Sequence, residues 1–257
     1  MRANKAMIPG FQTAYIAHRG LYDNHEDYPE NTLAAFARAV QAGYGIELDV
    51  RLTSDGQLVV FHDPDLERAC GHDLAIADVT FDELGQHQIF GSSQTIPLFS
   101  DVLSLIDGKV PLLVEIKTAH DIAAVCVKTD EALRDYKGAY CIESFDPRAL
   151  LWYRQNRPEV IRGQLSDVFG PGEGSGNEKL DWALTNMLFT PLTCPDFLAY
   201  NWQYAAKFAL HFWRWWLRCP LVVWTIETQE QLDKAKHSFS AFIFEGFTPD
   251  ADQNVSI

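Results

Sequence analysis

Four short apolar segments in the first half of the chain end in charged or imidazole side chains. They are Ile16-Ala17-His18-Arg19, Ile46-Glu47-Leu48-Asp49, Val60-Phe61-His62-Asp63 and Val114-Glu115-Ile116-Lys117. Buried strands favour apolar residues, because an unpaired charge in a low-dielectric interior is costly in free energy. Charges at four strand ends therefore indicate one shared site for an ion or a charged ligand.

The spacing within two of these segments supports a shared site. Glu47 and Asp49 lie two residues apart, as do Glu115 and Lys117. Successive side chains of a strand point to opposite faces, so residues two apart share a face. Each pair is therefore expected to point the same way.

The order of the predicted elements favours a TIM (β/α)8 barrel. Strand-like runs alternate with helical patterns along 257 residues, a typical length for this fold. The helical patterns lie at residues 31–43, 121–135, 147–155, 204–217 and 228–237. We expect a single domain over residues 1–257. About nine strand candidates compete for eight places; they are 14–17, 46–52, 58–61, 111–116, 139–144, 160–165, 197–200, 221–226 and 241–244. One strand is therefore misassigned or additional to the barrel.

A local antiparallel hairpin is expected over about residues 46–62, as an exception to the parallel barrel. Ser54-Asp55-Gly56 predicts a tight turn, and a parallel connection would need a dozen or more residues. The pair must therefore be antiparallel, and His62 is expected opposite Glu47 or Asp49, depending on loop length. The following segment, about residues 63–109, is irregular and predicts a small inserted lobe with one helix near 98–105.

Charge and cysteine content narrow the class of protein. The formal net charge of −14 repels phosphate backbones and argues against nucleic-acid binding. The five scattered cysteines form no Cys-x-x-Cys pair, and residues 1–10 lack a signal-peptide core. No stretch is apolar enough to span a bilayer. These features predict a soluble, cytoplasmic protein.

The residue types at the strand ends suggest metal-assisted chemistry on a phosphate. Glu47, Asp49 and Glu115 offer hard oxygen ligands, which suit one divalent cation such as Mg²⁺, Ca²⁺ or Mn²⁺. His18 and His62 could exchange protons near neutral pH. Arg19 and Lys117 could hold an anionic group, or could neutralise the acids.

These motifs, in this order, resemble the glycerophosphodiester phosphodiesterase family. The resemblance rests on His18-Arg19-Gly20, Pro29-Glu30-Asn31-Thr32, Glu47-Leu48-Asp49-Val50, His62-Asp63 and Glu115-Ile116-Lys117. It implies a TIM barrel and a phosphoric diester hydrolase that forms glycerol 3-phosphate and an alcohol, with a role in lipid and glycerol metabolism. It also implies a cyclic phosphate, made when the glycerol 2-hydroxyl attacks phosphorus.

The resemblance assigns roles to single residues. Glu47, Asp49 and Glu115 would bind the metal, and His18 and His62 would be the acid and base. Arg19, Lys117 and Trp224 would contact substrate, and Glu30 would orient Arg19 or simply favour the helix start. Two positions depart from the family pattern, where Glu227 replaces a common asparagine and Glu245 a late aspartate. By the resemblance, both positions lie on the substrate side, so the identity of the released alcohol stays open.

Residues 211–218 are rich in aromatics and arginine, and membrane contact there is the less favoured interpretation. Phe208, Phe212 and Trp215 share a helical stripe, so burial against a barrel is expected. Two alternative functions stay open. One is a phospholipase D-like phosphodiesterase acting on a lysophospholipid or sphingolipid, and the other is a non-catalytic barrel that acts as a binding module. The sequence leaves the oligomeric state open.

Overall fold

The computed structural model describes residue 11 and residues 14–170 and 174–250. Residues 1–10, on which the absence of a signal peptide was inferred, lie outside this range. The chain divides into two compact units, Ala17–Tyr140 in one and residues from Cys141 onward, with those before Ala17, in the other. The single domain over 1–257 stays a prediction.

Nine strands form one hydrogen-bonded sheet. In chain order they are β1 to β9: Tyr15–Ala17, Gly45–Leu52, Leu58–Val60, Leu112–Ile116, Tyr140–Ser144, Arg162–Ser166, Phe197–Asn201, Leu221–Ile226 and Ala241–Phe244. The spatial order is β1-β9-β8-β7-β6-β5-β4-β2-β3, and β1 also pairs with β2. Eight strands thus close a parallel barrel, which confirms the predicted TIM barrel. The ninth strand candidate is a real strand, β3, which lies outside the barrel.

Ten α-helices lie between and after these strands in the part of the chain that the structure describes. In chain order they are α1 to α10: Leu33–Ala42, Glu67–Cys70, Phe81–Leu84, Phe99–Ile106, Ile122–Leu133, Pro147–Asn156, Glu178–Thr185, Thr190–Thr193, Phe208–Leu217 and Gln229–Ala235. The predicted helical segments match α1, α4, α5, α6, α9 and α10 to within a few residues at most ends. Helices α2, α3 and α8 were not predicted, since each has four residues and gives little periodic signal. Helix α7 was not predicted either.

The hairpin is antiparallel as predicted, but its register differs from both expectations. Val50 pairs with Val60 and Leu52 with Leu58, and the Phe61 N–H donates to the Asp49 carbonyl at 3.0 Å. Continuing this register places His62 opposite Leu48, neither opposite Glu47 nor opposite Asp49. The reason is a loop with an odd number of residues, closed by Thr53, whose hydroxyl accepts from the Gln57 N–H.

The segment after the hairpin is a lobe with its own small core. Val59 and Phe61 pack there with apolar residues of the insertion, namely Leu66, Ala69, Ile76, Val79, Leu84, Ile89 and Ile96. A satellite cluster of this kind lets a segment with little regular structure hold a fixed shape. The inserted lobe is therefore an ordered platform beside β3.

The aromatic helix α9 contradicts the expectation of burial. Phe208 is 81% exposed and Trp215 is 71% exposed, whereas Leu210 is fully buried. The helix packs through Leu210 and through Trp213, whose indole N–H donates to the Asn186 carbonyl at 2.9 Å. A helix that is aromatic on most sides carries no sequence signal for which side packs inward.

Candidate active site

The acidic cluster forms where β2 and β4 run side by side. Asp49 and Glu115 are register partners in this parallel pair, and Glu47 lies two residues earlier on β2, on the face that Asp49 shares. One carboxylate oxygen from each residue lies within 4.8 Å of the other two. All three residues are buried. The predicted convergence of three acids is therefore observed.

Lys117 lies against two of these acids. Its Nζ is 2.9 Å from Glu115 Oε1 and 3.3 Å from Asp49 Oδ1. Burial alone would lower the pKa of Lys117, but the charges of Glu115 and Asp49 outweigh it and raise the pKa. The ammonium is thus held charged inside the acidic cluster, in agreement with the shared face predicted for Glu115 and Lys117.

A tight turn after β1 brings His18 and Arg19 to the same acids. The Arg19 backbone N–H donates to Glu47 Oε2 at 3.0 Å, and His18 Nε2 is 3.9 Å from that oxygen. Gly20 has φ +86°, and a Cβ there would lie 3.0 Å from atoms of Ala35 and Phe36 on α1. Only glycine fits both this left-handed backbone and the close approach to α1.

The Arg19 guanidinium points into a set of carboxylates. Its Nη1 donates to Glu30 Oε1 at 2.8 Å, and its Nε lies 3.7 Å from Asp49 Oδ2. Burial opposes the charge, but Asp49, Glu30 and Glu47 outweigh it and raise the pKa of Arg19. Glu30 therefore contacts Arg19 directly, as the orienting role assigned to it would require.

Asn31 also contributes to the cluster, although its motif gave it no separate role in the sequence. Its Nδ2 donates to Asp49 Oδ2 at 2.8 Å, whereas Thr32 caps α1 by accepting from the Ala35 N–H. Burial alone would raise the pKa of Asp49. The charges of Lys117, His62 and Arg19, together with the Asn31 hydrogen bond, hold that pKa well below its usual range.

His62 is held by Asp63 of the His62-Asp63 motif and by two arginines, Arg51 and Arg68, that the sequence did not single out. Its Nδ1 lies 2.6 Å from Asp63 Oδ1, and its backbone carbonyl accepts from Arg51 Nη2 at 2.7 Å. Arg68 then joins Asp63 to Glu30, with contacts of 2.6 Å to each carboxylate. Arg68 comes from α2 in the inserted lobe, where no periodic pattern marks it.

The pKa values of the two carboxyl groups that hold Arg68 are depressed. Burial would raise the pKa of Asp63, but hydrogen bonds with His62 and Arg68 lower it strongly. Burial likewise opposes ionisation of Glu30, and contacts with Arg68 and Arg19 outweigh it, so its pKa is lowered. Both groups stay ionised at neutral pH and keep the network charged.

The remaining predicted substrate contact lies in the other compact unit. Trp224 is on β8, and its ring meets Phe145 edge to face at 5.6 Å between centroids. Its indole Nε1 is buried and has no hydrogen-bond acceptor among the described residues. Nearby, Glu227 is exposed, and the Glu245 N–H donates to the Ile226 carbonyl at 3.0 Å.

Comparison with known proteins decides the family. The model of the glycerophosphoryl diester phosphodiesterase family matches residues 18–237. The chain belongs to this family. Members of the glycerophosphoryl diester phosphodiesterase family are phosphoric diester hydrolases, which confirms the resemblance carried by the five motifs.

Individual relatives agree with this placement. The chain is 34% identical to a glycerophosphodiester phosphodiesterase of Caldanaerobacter subterraneus subsp. tengcongensis over 60% of this chain and 67% of that protein. It is 32% identical to Homo sapiens lysophospholipase D GDPD1 over 49% of this chain and 42% of that protein. Matches to curated family members span 40 to 67% of their length, so the chain spans about half of these relatives.

A solved structure matches a larger share of this chain than these relatives do. The crystal structure of a glycerophosphodiester phosphodiesterase from Thermotoga maritima is 26% identical, with a TM-score of 0.68, over 91% of this chain and 94% of that chain. The chain therefore shares its barrel fold with this solved structure.

Proposed function

We propose that this protein hydrolyses glycerophosphodiesters to glycerol 3-phosphate and an alcohol. The observation that carries the proposal is the buried cluster of Glu47, Asp49 and Glu115, whose oxygens lie within 4.8 Å of one another beside His18 and Arg19. Family membership and the name of the Caldanaerobacter relative support the same reaction.

The donor set fits one divalent cation. Glu47, Asp49 and Glu115 offer carboxylate oxygens only. Asp49 Oδ1 is buried and faces the Lys117 ammonium at 3.3 Å without a hydrogen bond among the described residues. Oxygen-only sites suit Mg²⁺, Ca²⁺ and Mn²⁺ more than Zn²⁺. When bound, the cation would neutralise charge on the phosphoryl oxygens.

Proton transfer falls to His18 and His62. The contact between His62 Nδ1 and Asp63 fixes the ring, so its proton exchange with substrate takes place at Nε2. One histidine accepts the proton of the glycerol 2-hydroxyl as that oxygen attacks phosphorus, and the other protonates the departing alcohol oxygen. Water then opens the cyclic phosphate with the same two groups in reversed roles.

Arg19 and Lys117 supply positive charge to the phosphate. The Nε of Arg19 is buried, 3.7 Å from Asp49 Oδ2, and makes no hydrogen bond in the described part of the chain, so the guanidinium keeps one unused donor. A planar guanidinium can bind two phosphate oxygens at once. Trp224, with its buried indole N–H, is proposed to contact the glycerol moiety.

The test is turnover of glycerophosphocholine and glycerophosphoethanolamine after EDTA treatment, with Mg²⁺, Mn²⁺ or Ca²⁺ then added one at a time. We expect activity to vanish with EDTA and to return with at least one cation, with glycerol 3-phosphate as product. Phosphocholine as the product, or full activity without metal, would contradict the proposal. No turnover with any cation would favour the non-catalytic binding module.

A lysophospholipid is the second candidate substrate. Exposed aromatic side chains on α9 could contact lipid, and the human relative is named a lysophospholipase D. Comparing rates on glycerophosphocholine and lysophosphatidylcholine separates the two candidates. A faster rate on the acylated substrate would favour the lysophospholipid.

A further inference from the structure

Helix α9 presents a continuous group of aromatic side chains to solvent. Phe208, Trp215 and Trp216 are 81%, 71% and 63% exposed, and Phe212 lies between them. The Phe212 ring centroid is 6.1 Å from that of Phe208, 6.4 Å from Trp215 and 6.3 Å from Trp216. These four residues are called the aromatic patch below.

The aromatic patch is not required to hold α9 on the protein. Leu210 and the Trp213 hydrogen bond to Asn186 already anchor the opposite side of the helix. Each large aromatic side chain carries roughly 150–250 Å² of surface whose exposure to water is unfavourable. Contiguous exposed apolar surface of this kind marks a contact site.

The segment that carries the aromatic patch is opposite in charge to the whole chain. Between Asp196 and Glu227 the sequence contains no acidic residue, although the net charge of the chain is −14. The basic residues of this stretch are Lys207, Arg214 and Arg218, and His211 shares one edge of the helix with both arginines. The aromatic face is thus bordered by a basic edge.

We propose that the aromatic patch and the basic edge of α9 form a docking surface for an anionic phospholipid bilayer. Helices with an aromatic face bordered by arginine and lysine lie in the plane of the membrane interface, where indole rings are favoured. Anionic headgroups attract basic side chains near the surface. No helix among the described residues is long and apolar enough to cross a membrane, so α9 would lie on the bilayer.

A second copy of the chain fits this surface less well. A symmetric contact through α9 would place the arginines of one copy near those of the other, and like charges oppose association. A stable dimer also needs roughly 800 Å² from each partner and some twenty residues a side. Four aromatic residues on one helix of ten residues fall short of that.

Vesicle flotation tests the docking surface without any substrate. The probes are vesicles of phosphatidylcholine alone and of phosphatidylcholine mixed with phosphatidylglycerol. We expect at least about tenfold stronger binding to the mixed vesicles, with a blue shift of tryptophan emission, and weaker binding at high salt because surface charges are screened. Binding to neither kind of vesicle would overturn the proposal.

Variants of exposed residues locate the contact. Trp215→Ala with Trp216→Ala should weaken binding at least about tenfold, and Arg214→Gln with Arg218→Asn should remove the preference for phosphatidylglycerol. Asparagine suits position 218, where φ is +56°. Leu74→Ala with Val127→Ala, which removes exposed apolar side chains of the other compact unit, is the control and should bind like wild type.

Two further measurements keep the result decisive. Phe208→Ala changes only the first residue of α9 and should still weaken binding about threefold if the double variant does not fold. Light scattering after size exclusion reports oligomeric state. A wild-type dimer that becomes monomeric in the tryptophan variant, or unchanged vesicle binding by that variant, would overturn the membrane surface.

Discussion

Asp49 and Glu115 are direct partners in the parallel pairing of β2 with β4, so their carboxylates project from adjacent positions of the same sheet face. Like charges placed this close repel, and the cluster persists because Lys117 contacts both groups. The same geometry presents a divalent cation with ligands from two rigid strands. Binding would then need little rearrangement of the backbone.

Metal binding should raise thermal stability. A cation that binds only the folded state adds about 2.7 kcal/mol at a hundred times its dissociation constant. We therefore expect Mg²⁺, Mn²⁺ or Ca²⁺ to raise the Tm of EDTA-treated protein, measured by differential scanning fluorimetry. Glu115→Gln should lose most of this shift, whereas the exposed Glu131→Gln should keep it. An equal shift in both variants would place the cation elsewhere.

His18→Ala should reduce turnover at least about a hundredfold with the fold retained, as expected for loss of a general acid or base. Circular dichroism checks the fold, and glycerophosphocholine hydrolysis gives the rate. His25→Ala is the matched control, because His25 is exposed and close in sequence. Wild-type turnover in His18→Ala would remove this residue from the reaction.

Arg68→Ala should reduce turnover by about tenfold, because Asp63 would lose the contact that holds it against His62. A positioning role also predicts a shifted pH–rate profile, which a general loss of stability would not produce. Arg134→Ala serves as control, since Arg134 is exposed and lies 4.0 Å from its acidic neighbour Asp130. Identical pH profiles for wild type and Arg68→Ala would argue against positioning.

Gly20→Ala should destabilise the fold more than Gly71→Ala. Both positions have positive φ, +86° and +75°, so each alanine pays a backbone cost of roughly 1–2 kcal/mol. Only at Gly20 would the new Cβ also lie 3.0 Å from Ala35 and Phe36, which adds a further cost of about 1 kcal/mol or more. Urea unfolding measures both. An equal loss in the free energy of unfolding for both variants would show that α1 moves away from the new Cβ at no cost.

Acid should weaken the fold through Glu30 and Asp63, whose pKa values are lowered in the folded state. A carboxyl group whose pKa is lowered in the folded state stabilises the protein at pH values above its pKa in the unfolded chain, about 4. This contribution is lost as the pH falls through the folded-state pKa. The free energy of unfolding should therefore drop below about pH 4. In Glu30→Gln the drop should be shallower, and stability at pH 7 should fall by roughly 2 kcal/mol, less than for a fully buried pair. Urea titrations at several pH values test both.

The acidic cluster could be predicted because it depends on local rules. Strand period two puts Glu47 and Asp49 on one face, and parallel barrels collect their strand ends at one rim, which brings Glu115 to them. The hairpin register could not be predicted, because adding or removing one loop residue changes which residues of the two strands face each other. The register depends on the loop that Thr53 closes by accepting from the Gln57 N–H.

Arg68, Asn31 and the exposed side of α9 were beyond sequence reasoning for separate reasons. Arg68 contacts Glu30, which is distant in sequence, from a segment without periodicity. The Asn31 side chain donates to Asp49 on β2, whereas its neighbour Thr32 caps α1. In α9 apolar residues surround the helix, so only tertiary packing selects Leu210 and Trp213 as the inward side.

The contacts of Arg68 with Asp63 and Glu30 connect the inserted lobe to the candidate active site. The lobe lies outside the barrel, yet its residue Arg68 holds Asp63, which in turn contacts the His62 imidazole. Removing the lobe, or unfolding it by mild heat while the barrel stays folded, would take away the Arg68 contact with Asp63, and the Asp63 contact with His62 would lose that support.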